Sequence, residues 1–176
     1  NFSLALRVAP AALIIFVSGI LDDLYGLQPL QKLFAQITAG IAAFLAGVRV
    51  TGIVEHQLPD WLSLVVTIGW LIACTNAFNL IDGMDGLAAG VGLFATATTL
   101  IAALMQNNLA LAAATAPLAG ALLGFLRYNF NPATIFLGDS GSLLVGFLLG
   151  CFGAVWSQKS ATLLGMTAPL MALAIP

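Results

Sequence analysis

The sequence predicts an all-α membrane protein, a polytopic transmembrane helical bundle of about seven spans forming one domain over residues 1–176. Three observations predict it. Hydrophobic residues make up 61% of the chain and charged residues only 7%, whereas a soluble domain carries roughly 25% charged residues. Mean hydropathy is +1.06, and the apolar runs approach the roughly 20 residues that cross a bilayer as a helix. The runs are continuously apolar rather than alternating with period two, which favours helices over a membrane β-barrel.

The expected spans are about 7–24, 31–49, 61–81, 86–105, 109–127, 140–157 and 160–176. Pro10, Pro117 and Pro169 fall inside them and predict kinks. Glycines recur four apart at Gly86 and Gly90, Gly120 and Gly124, and Gly146 and Gly150, a spacing that suits close helix packing. No internal repeat or low-complexity linker divides the chain. Asn1 and Pro176 both border apolar runs without a signal-peptide pattern, so the sequence reads as an internal piece of a longer membrane protein.

Composition excludes some functions. The five Lys and Arg residues are dispersed, so no basic patch for nucleic acid exists. Cys74 and Cys151 stand alone in apolar runs and read as small core or lipid-facing residues.

Counting spans by parity puts the loop at 25–30, the junction at 82–86 and the loop at 128–139 on one membrane face. Asp22, Asp23, Asp82, Asp85 and Asp139, five of the seven carboxylates, then converge there with Lys32 and Arg127. Glu55 and Asp60 lie on the other face, with the single histidine, His56. Carboxylates at the ends of apolar helices are costly if they face lipid, and several together repel unless a cation relieves them. An oxygen-rich site suits Mg²⁺, or Mn²⁺, rather than zinc. Each group also has a plainer reading. Asp22 and Asp23 could end a helix at the interface, Asp139 before Ser140 could be an N-cap, and Lys32 and Arg127 could be interface anchors. All of them falling on one side favours a site.

Three segments carry the pattern. The first is Gly19-Ile20-Leu21-Asp22-Asp23-Leu24-Tyr25-Gly26, followed by Lys32. The second is Asn76-Ala77-Phe78-Asn79-Leu80-Ile81-Asp82-Gly83-Met84-Asp85-Gly86. The third runs from Asn129 through Phe136 to Leu137-Gly138-Asp139-Ser140-Gly141-Ser142. In the second, Asn76, Asn79 and Asp82 share one helical face by their spacing of three.

In order and spacing these segments resemble the signature motifs of the polyprenyl-phosphate N-acetylhexosamine-1-phosphate transferase superfamily (glycosyltransferase family 4). That superfamily includes phospho-MurNAc-pentapeptide translocase and the undecaprenyl-phosphate GlcNAc-1-phosphate transferases. The resemblance implies transfer of a sugar phosphate from a UDP-sugar donor to a polyprenyl phosphate lipid, with release of UMP. It implies a Mg²⁺-dependent site facing the cytoplasm from the bacterial cytoplasmic membrane. Matched residue by residue, Asp22 and Asp23 correspond to the aspartate pair near the lipid phosphate, one of them the proposed base, with electrostatic ordering of Lys32 or of the metal, or a covalent phospho-aspartate intermediate, as the alternatives. Lys32 corresponds to the lysine that helps hold the phosphates, and Asp82 to a carboxylate near the diphosphate. Asn79 and Asp139 correspond to metal ligands. Gly83 and Asp85 correspond to nucleotide contacts with Asn76 and Asn129 nearby, and Phe136 to the aromatic that stacks on uracil.

Ile81, where the translocase usually has Thr, and Ser140, where it usually has a β-branched apolar residue, bring the chain closer to the GlcNAc-1-phosphate transferases. The family's early spans, its first nucleotide-binding loop and its histidine-rich loop are not in this sequence. Homodimers occur in the family, and no residue here identifies an interface. Two other classes also place polar groups among apolar helices. A secondary transporter would hold its ionisable residues near the bilayer midplane rather than at one surface. A packing scaffold would not need Asn76, Asn79, Asp82, Asp85 and Asp139 together. Lys32 and Arg127 lie on the motif face while Arg7, Arg49 and Lys159 lie near the other, so the positive-inside rule does not favour a cytoplasmic motif face.

Overall fold

The computed structural model describes residues 3–53 and 56–157. Six helices run through them: α1 (Ser3–Tyr25), α2 (Pro29–Leu45), α3 (Asp60–Ile81), α4 (Leu87–Met105), α5 (Leu109–Asn129) and α6 (Gly138–Ser157). Between α2 and α3 two short strands, β1 (Gly52–Ile53) and β2 (His56–Gln57), pair antiparallel, Gly52 opposite Gln57 and Ile53 opposite His56. The all-α expectation holds, and this strand pair is its one addition among the described residues.

Among the described residues five helices, α1 and α3 to α6, are long and apolar enough to cross a membrane, fewer than the seven spans expected. The expected span at 160–176 lies outside the described residues. The expected span at 31–49 is corrected to the 17-residue α2, which at 1.5 Å per residue rises only about 25 Å, short of a hydrocarbon core of about 30 Å. A glycine turn ends it early. Gly47 takes φ +100°, its N–H bonds Phe44 O, and the Val48 N–H bonds Ala43 O, both at 3.0 Å. This is a Schellman cap, which needs a left-handed residue after the helix. The chain then tucks against α3 instead of continuing as helix. The Val50 N–H donates to Thr67 Oγ1 at 2.9 Å, and Ser63 Oγ donates to Val50 O at 2.7 Å.

Helix α6 is the centre of the bundle, with 61% of its apolar stretch buried against 22–33% in the other four spans. It packs against α3 and α1, and more lightly against α4 and α5. Two apolar cores result. One gathers Val8, Ile15, Ala39, Leu71, Leu143 and Phe147 from α1, α2, α3 and α6. The other gathers Phe78, Ala95, Leu111, Leu122, Val145 and Leu149 from α3 to α6.

Glycine lets α6 sit so close. A Cβ on Gly146 would fall 2.7 Å from Phe78 Cβ and 2.8 Å from Cys74 O, and one on Gly150 would fall 3.0 Å from Cys74 Cβ. The packing reading therefore holds for this pair, as it does for Gly19 and Gly92. It is corrected for Gly90, Gly120 and Gly124, where an added Cβ meets nothing within 4 Å among the described residues. Gly86 has a different task, a turn at φ +73°. Trp70 Nε1 donates to Gly150 O at 2.9 Å, locking α3 to α6. Pro10 and Pro117 lie within continuous helices, and Pro169 lies outside the described residues. Cys74 and Cys151 are buried and carry no disulfide.

Candidate active site

The carboxylates predicted to share a face do meet, at the end of the bundle where α1, α3 and α5 finish and α2, α4 and α6 begin. The contact between α1 and α6 sets the geometry. Gly19 comes so close to the start of α6 that a Cβ there would stand 2.7 Å from Asp139 O and Ser140 N. Asp23, four residues on and therefore on the same face of α1, is delivered to the N-terminus of α6. The Asp139 N–H donates to Asp23 Oδ1 at 2.8 Å, and the Ser140 N–H donates to Asp23 Oδ2 at 3.0 Å. Gly138 completes the turn at φ +63°. The reading of Asp139 as an N-cap is corrected, because it lies inside the first turn of α6 and is itself held by a cap from another helix.

A polar chain runs behind this contact. Asp22 is buried, at 7% exposure. Its Oδ1 accepts from the Leu27 N–H at 2.7 Å, and its Oδ2 forms an ion pair with Lys32. Lys32 Nζ also reaches Asp139 Oδ2 at 3.0 Å. Asn79 Nδ2 donates to Asp139 Oδ1 at 2.7 Å and to Ser142 Oγ at 2.8 Å. Lys32 thus bridges two carboxylates, while α1, α2, α3 and α6 are joined through one hydrogen-bonded series.

In front lies a cavity of about 400 Å³. The end of α3 and the turn into α4 wall it with Asn79, Asp82, Gly83, Met84 and Asp85, facing Asp23 and Asp139 across the space. The α5–α6 connection closes it with Asn129, Phe136 and Gly138. Phe136 is 71% exposed, a flat apolar face offered at the rim. Partial burial, reinforced by the nearby Asp139 charge, pushes the Asp82 carboxyl up to about 6.

Two residues shape this rim by holding backbone. Asp85 Oδ2 accepts from the Ala133 N–H at 3.0 Å and from Asn131 Nδ2 at 3.3 Å. Asn129 is buried; its Oδ1 accepts from the Gly86 N–H at 3.1 Å and its Nδ2 donates to Ile135 O at 2.9 Å. Together they tie the loop that carries Phe136 to the α3–α4 turn.

Asn76 stands apart. It does not line the cavity but exchanges two bonds with Gln36 of α2. Asn76 Nδ2 donates to Gln36 Oε1 at 2.8 Å, and Gln36 Nε2 donates to Asn76 Oδ1 at 3.2 Å. A drift of about 60° per three residues turns it from the face of Asn79 toward α2. Ser142, the last residue of the third motif, also joins the site. It is fully buried against Asn79, and its spacing of three from Asp139 on α6 was the available signal. Nothing in the sequence marked Gln36 as the partner of Asn76.

The donor set fits a hard divalent cation. Asp82 and Asp139 oppose each other electrostatically, and the Asn79 amide nitrogen is committed to Asp139 and Ser142, leaving its oxygen as the atom for an ion. Among the described residues no three His, Cys, Asp or Glu side chains could cage a metal by themselves.

The sequence matches known proteins over most of its length. Residues 5–157 match the family model described as glycosyl transferase family 4. A probable undecaprenyl-phosphate N-acetylglucosaminyl 1-phosphate transferase of Bacillus subtilis is 35% identical, over 96% of this chain and 49% of its own. A decaprenyl-phosphate N-acetylglucosaminephosphotransferase of Mycolicibacterium smegmatis is 36% identical, over 81% of this chain and 39% of its own. A phospho-N-acetylmuramoyl-pentapeptide-transferase of Halalkalibacterium halodurans is 33% identical, over 82% of this chain and 47% of its own. The chain spans about half the length, or less, of these curated relatives. With its family model matched across nearly the whole described structure, this membrane protein belongs to glycosyl transferase family 4.

Proposed function

We propose that the protein transfers N-acetylglucosamine 1-phosphate from UDP-GlcNAc to a polyprenyl phosphate such as undecaprenyl phosphate, releasing UMP, in the assembly of a cell-envelope polysaccharide. The observation that carries this reading is the acidic cavity at the bundle end, with Asn79 and Asp139 in its wall, Lys32 bonded to Asp139 behind that wall, and an exposed aromatic at its rim. The names of the Bacillus and Mycolicibacterium relatives support the sugar and the lipid class.

In this reaction an oxygen of the lipid phosphate attacks the sugar-bearing phosphorus of the donor. The bond from that phosphorus to the oxygen bridging to UMP breaks, and UMP leaves with that oxygen. Phosphoryl transfer depends chiefly on alignment and on neutralising phosphate charge. Asp139, Asp82 and the Asn79 amide oxygen are the groups that would hold Mg²⁺. When bound, the ion neutralises phosphate oxygens and helps align them. Lys32, shared between Asp22 and Asp139, fixes the Asp139 carboxylate and adds positive charge behind it. Phe136 offers its ring to the uracil, and Asp85 and Asn129 hold the loop that presents it. We place the protein in the bacterial cytoplasmic membrane with this cavity toward the cytoplasm, where nucleotide sugars are made.

The test is UMP release from membranes carrying the protein encoded by its complete gene, given UDP-GlcNAc, undecaprenyl phosphate and Mg²⁺. Parallel samples contain EDTA, the Asp139→Ala variant, or UDP-MurNAc-pentapeptide as donor. Release that requires lipid and metal and is lost in Asp139→Ala supports the reading. The Halalkalibacterium relative makes the pentapeptide donor the second reading, and release with that donor alone would replace GlcNAc. No release with either donor from folded protein would sink the transferase reading.

A further inference from the structure

The adjacent aspartates of α1 do different things to α6. Asp22 acts on the Asp139 side chain through Lys32, because its own oxygens are taken by the Leu27 N–H and by Lys32. Asp23 acts on the backbone, each of its oxygens accepting one N–H of the first turn of α6. We infer that Asp23 is a positioning residue, a cap supplied by α1 that fixes the first turn of α6 and with it the metal-ligand candidate Asp139. The inference rests on the transferase reading for its catalytic consequence, though not for the capping itself.

Three features of the fold converge on this role. Free N–H groups at a helix start need acceptors, and carboxylates bind them through charge-assisted bonds. The residue before α6 is Leu137, whose side chain has no acceptor, and the first residue of the helix is Gly138, at φ +63°, which has no side chain to offer. An added Cβ on Gly138 would stand 3.0 Å from both Asp23 oxygens, so the missing side chain leaves the room that Asp23 fills. Gly19 removes the other obstacle, letting α1 approach the α6 backbone one turn before Asp23. Two glycines and one carboxylate therefore build the cap jointly.

A base at this position and a cap at this position respond differently to substitution. Asparagine cannot serve as a carboxylate base, but its amide oxygen can still accept one of the two N–H bonds and it is a good N-cap. Alanine can do neither. The experiment compares Asp23→Asn, Asp23→Ala and Gly138→Ala in the protein encoded by the complete gene. It reads hydrogen exchange of the Asp139 and Ser140 amides without added metal, then UMP release against Mg²⁺ concentration.

Expected for Asp23→Ala are exchange at those amides faster by about tenfold or more and a half-saturating Mg²⁺ concentration raised roughly 10–100-fold, the usual effect of losing a group that orients a metal ligand. Asp23→Asn falls between it and wild type in both readouts, retaining substantial turnover at saturating Mg²⁺. Gly138→Ala speeds exchange with Asp23 still present, because the new methyl displaces its carboxylate. Asp23→Asn as inactive as Asp23→Ala at saturating metal would overturn the inference in favour of direct action on substrate. So would unchanged exchange at Asp139 and Ser140 in folded Asp23→Ala. If the wild-type protein releases no UMP, the transferase reading fails while the exchange measurements still decide the cap.

Discussion

Replacing Gly146 with alanine tests whether helix packing sets the site. The added Cβ would stand 2.8 Å from the Cys74 carbonyl oxygen and 3.0 Å from Thr75 Cα. Non-bonded heavy atoms settle at about 3.5 Å, so the shortfall against the carbonyl is about 0.7 Å. Both close atoms belong to the α3 backbone, and no side-chain rotation can relieve them. Helices α3 and α6 must part, at a cost of about 1–3 kcal/mol for overpacking. Gly146 lies seven residues, two turns, along α6 from Asp139, and stiff helices carry the separation to the site. The Asn79–Asp139 bond, 2.7 Å in the native packing, would open to about 3.4 Å, beyond the usual range of such bonds. Misplacement on this scale costs up to about a hundredfold in rate. The assay is UMP release together with thermal unfolding in detergent. Gly120→Ala is the control, since its Cβ meets nothing within 4 Å among the described residues, and it should leave both readouts near wild type. A Gly146→Ala protein with native unfolding temperature and native turnover would refute the link from packing to catalysis.

Three further outcomes follow from named contacts. Lys32→Met leaves Asp22 buried without its cation; the unfolding midpoint should fall by the equivalent of about 1–3 kcal/mol, less than for a fully buried pair because the Lys32 side chain keeps 28% exposure, and restoring stability with Asp22→Asn in the same chain would confirm the cause. For Asp82, raised from 3.8 to about 6, the folded protein binds the proton more tightly than the unfolded chain, so its contribution to stability is present at low pH and is lost as pH rises through about 6. Metal-free protein should therefore unfold at lower temperature at pH 7 than at pH 5, Asp82→Asn should flatten that dependence, and an unchanged slope in the variant would reject the assignment. Gln36→Leu removes the partner of Asn76; it should lower stability by about 1–2 kcal/mol with KM for the UDP-sugar unchanged, and a raised KM would return Asn76 to the binding site.

Much of this protein was legible in one dimension. Long apolar runs compel helices, because backbone polar groups inside a bilayer have no water to bond. The back-and-forth course of the chain then brings Asp22, Asp82, Asp85 and Asp139 to one end, with α2 and the segment after it returning the chain between α1 and α3, and the cavity and its hydrogen bonds reproduce that grouping. Motif order gave the family, later matched over residues 5–157. These are consequences of period and sequence order, and a linear chain displays both.

Tertiary structure decided which partner each polar group takes. Asn76, Asn79 and Asp82 share a spacing, yet Asn76 faces Gln36 while Asn79 faces Asp139, since that outcome depends on where α2 and α6 stand around α3. Glycine spacing marked Gly120 and Gly124 as strongly as Gly146 and Gly150, and only the placement of α3 separates them. The neighbouring aspartates Asp22 and Asp23 are alike in sequence, but successive residues on a helix point about 100° apart. One therefore meets Lys32 and the other the start of α6. A sequence fixes which groups a helix carries and at what height. Which of them meet is settled by helices packing side by side, where a single missing methyl determines how near they come.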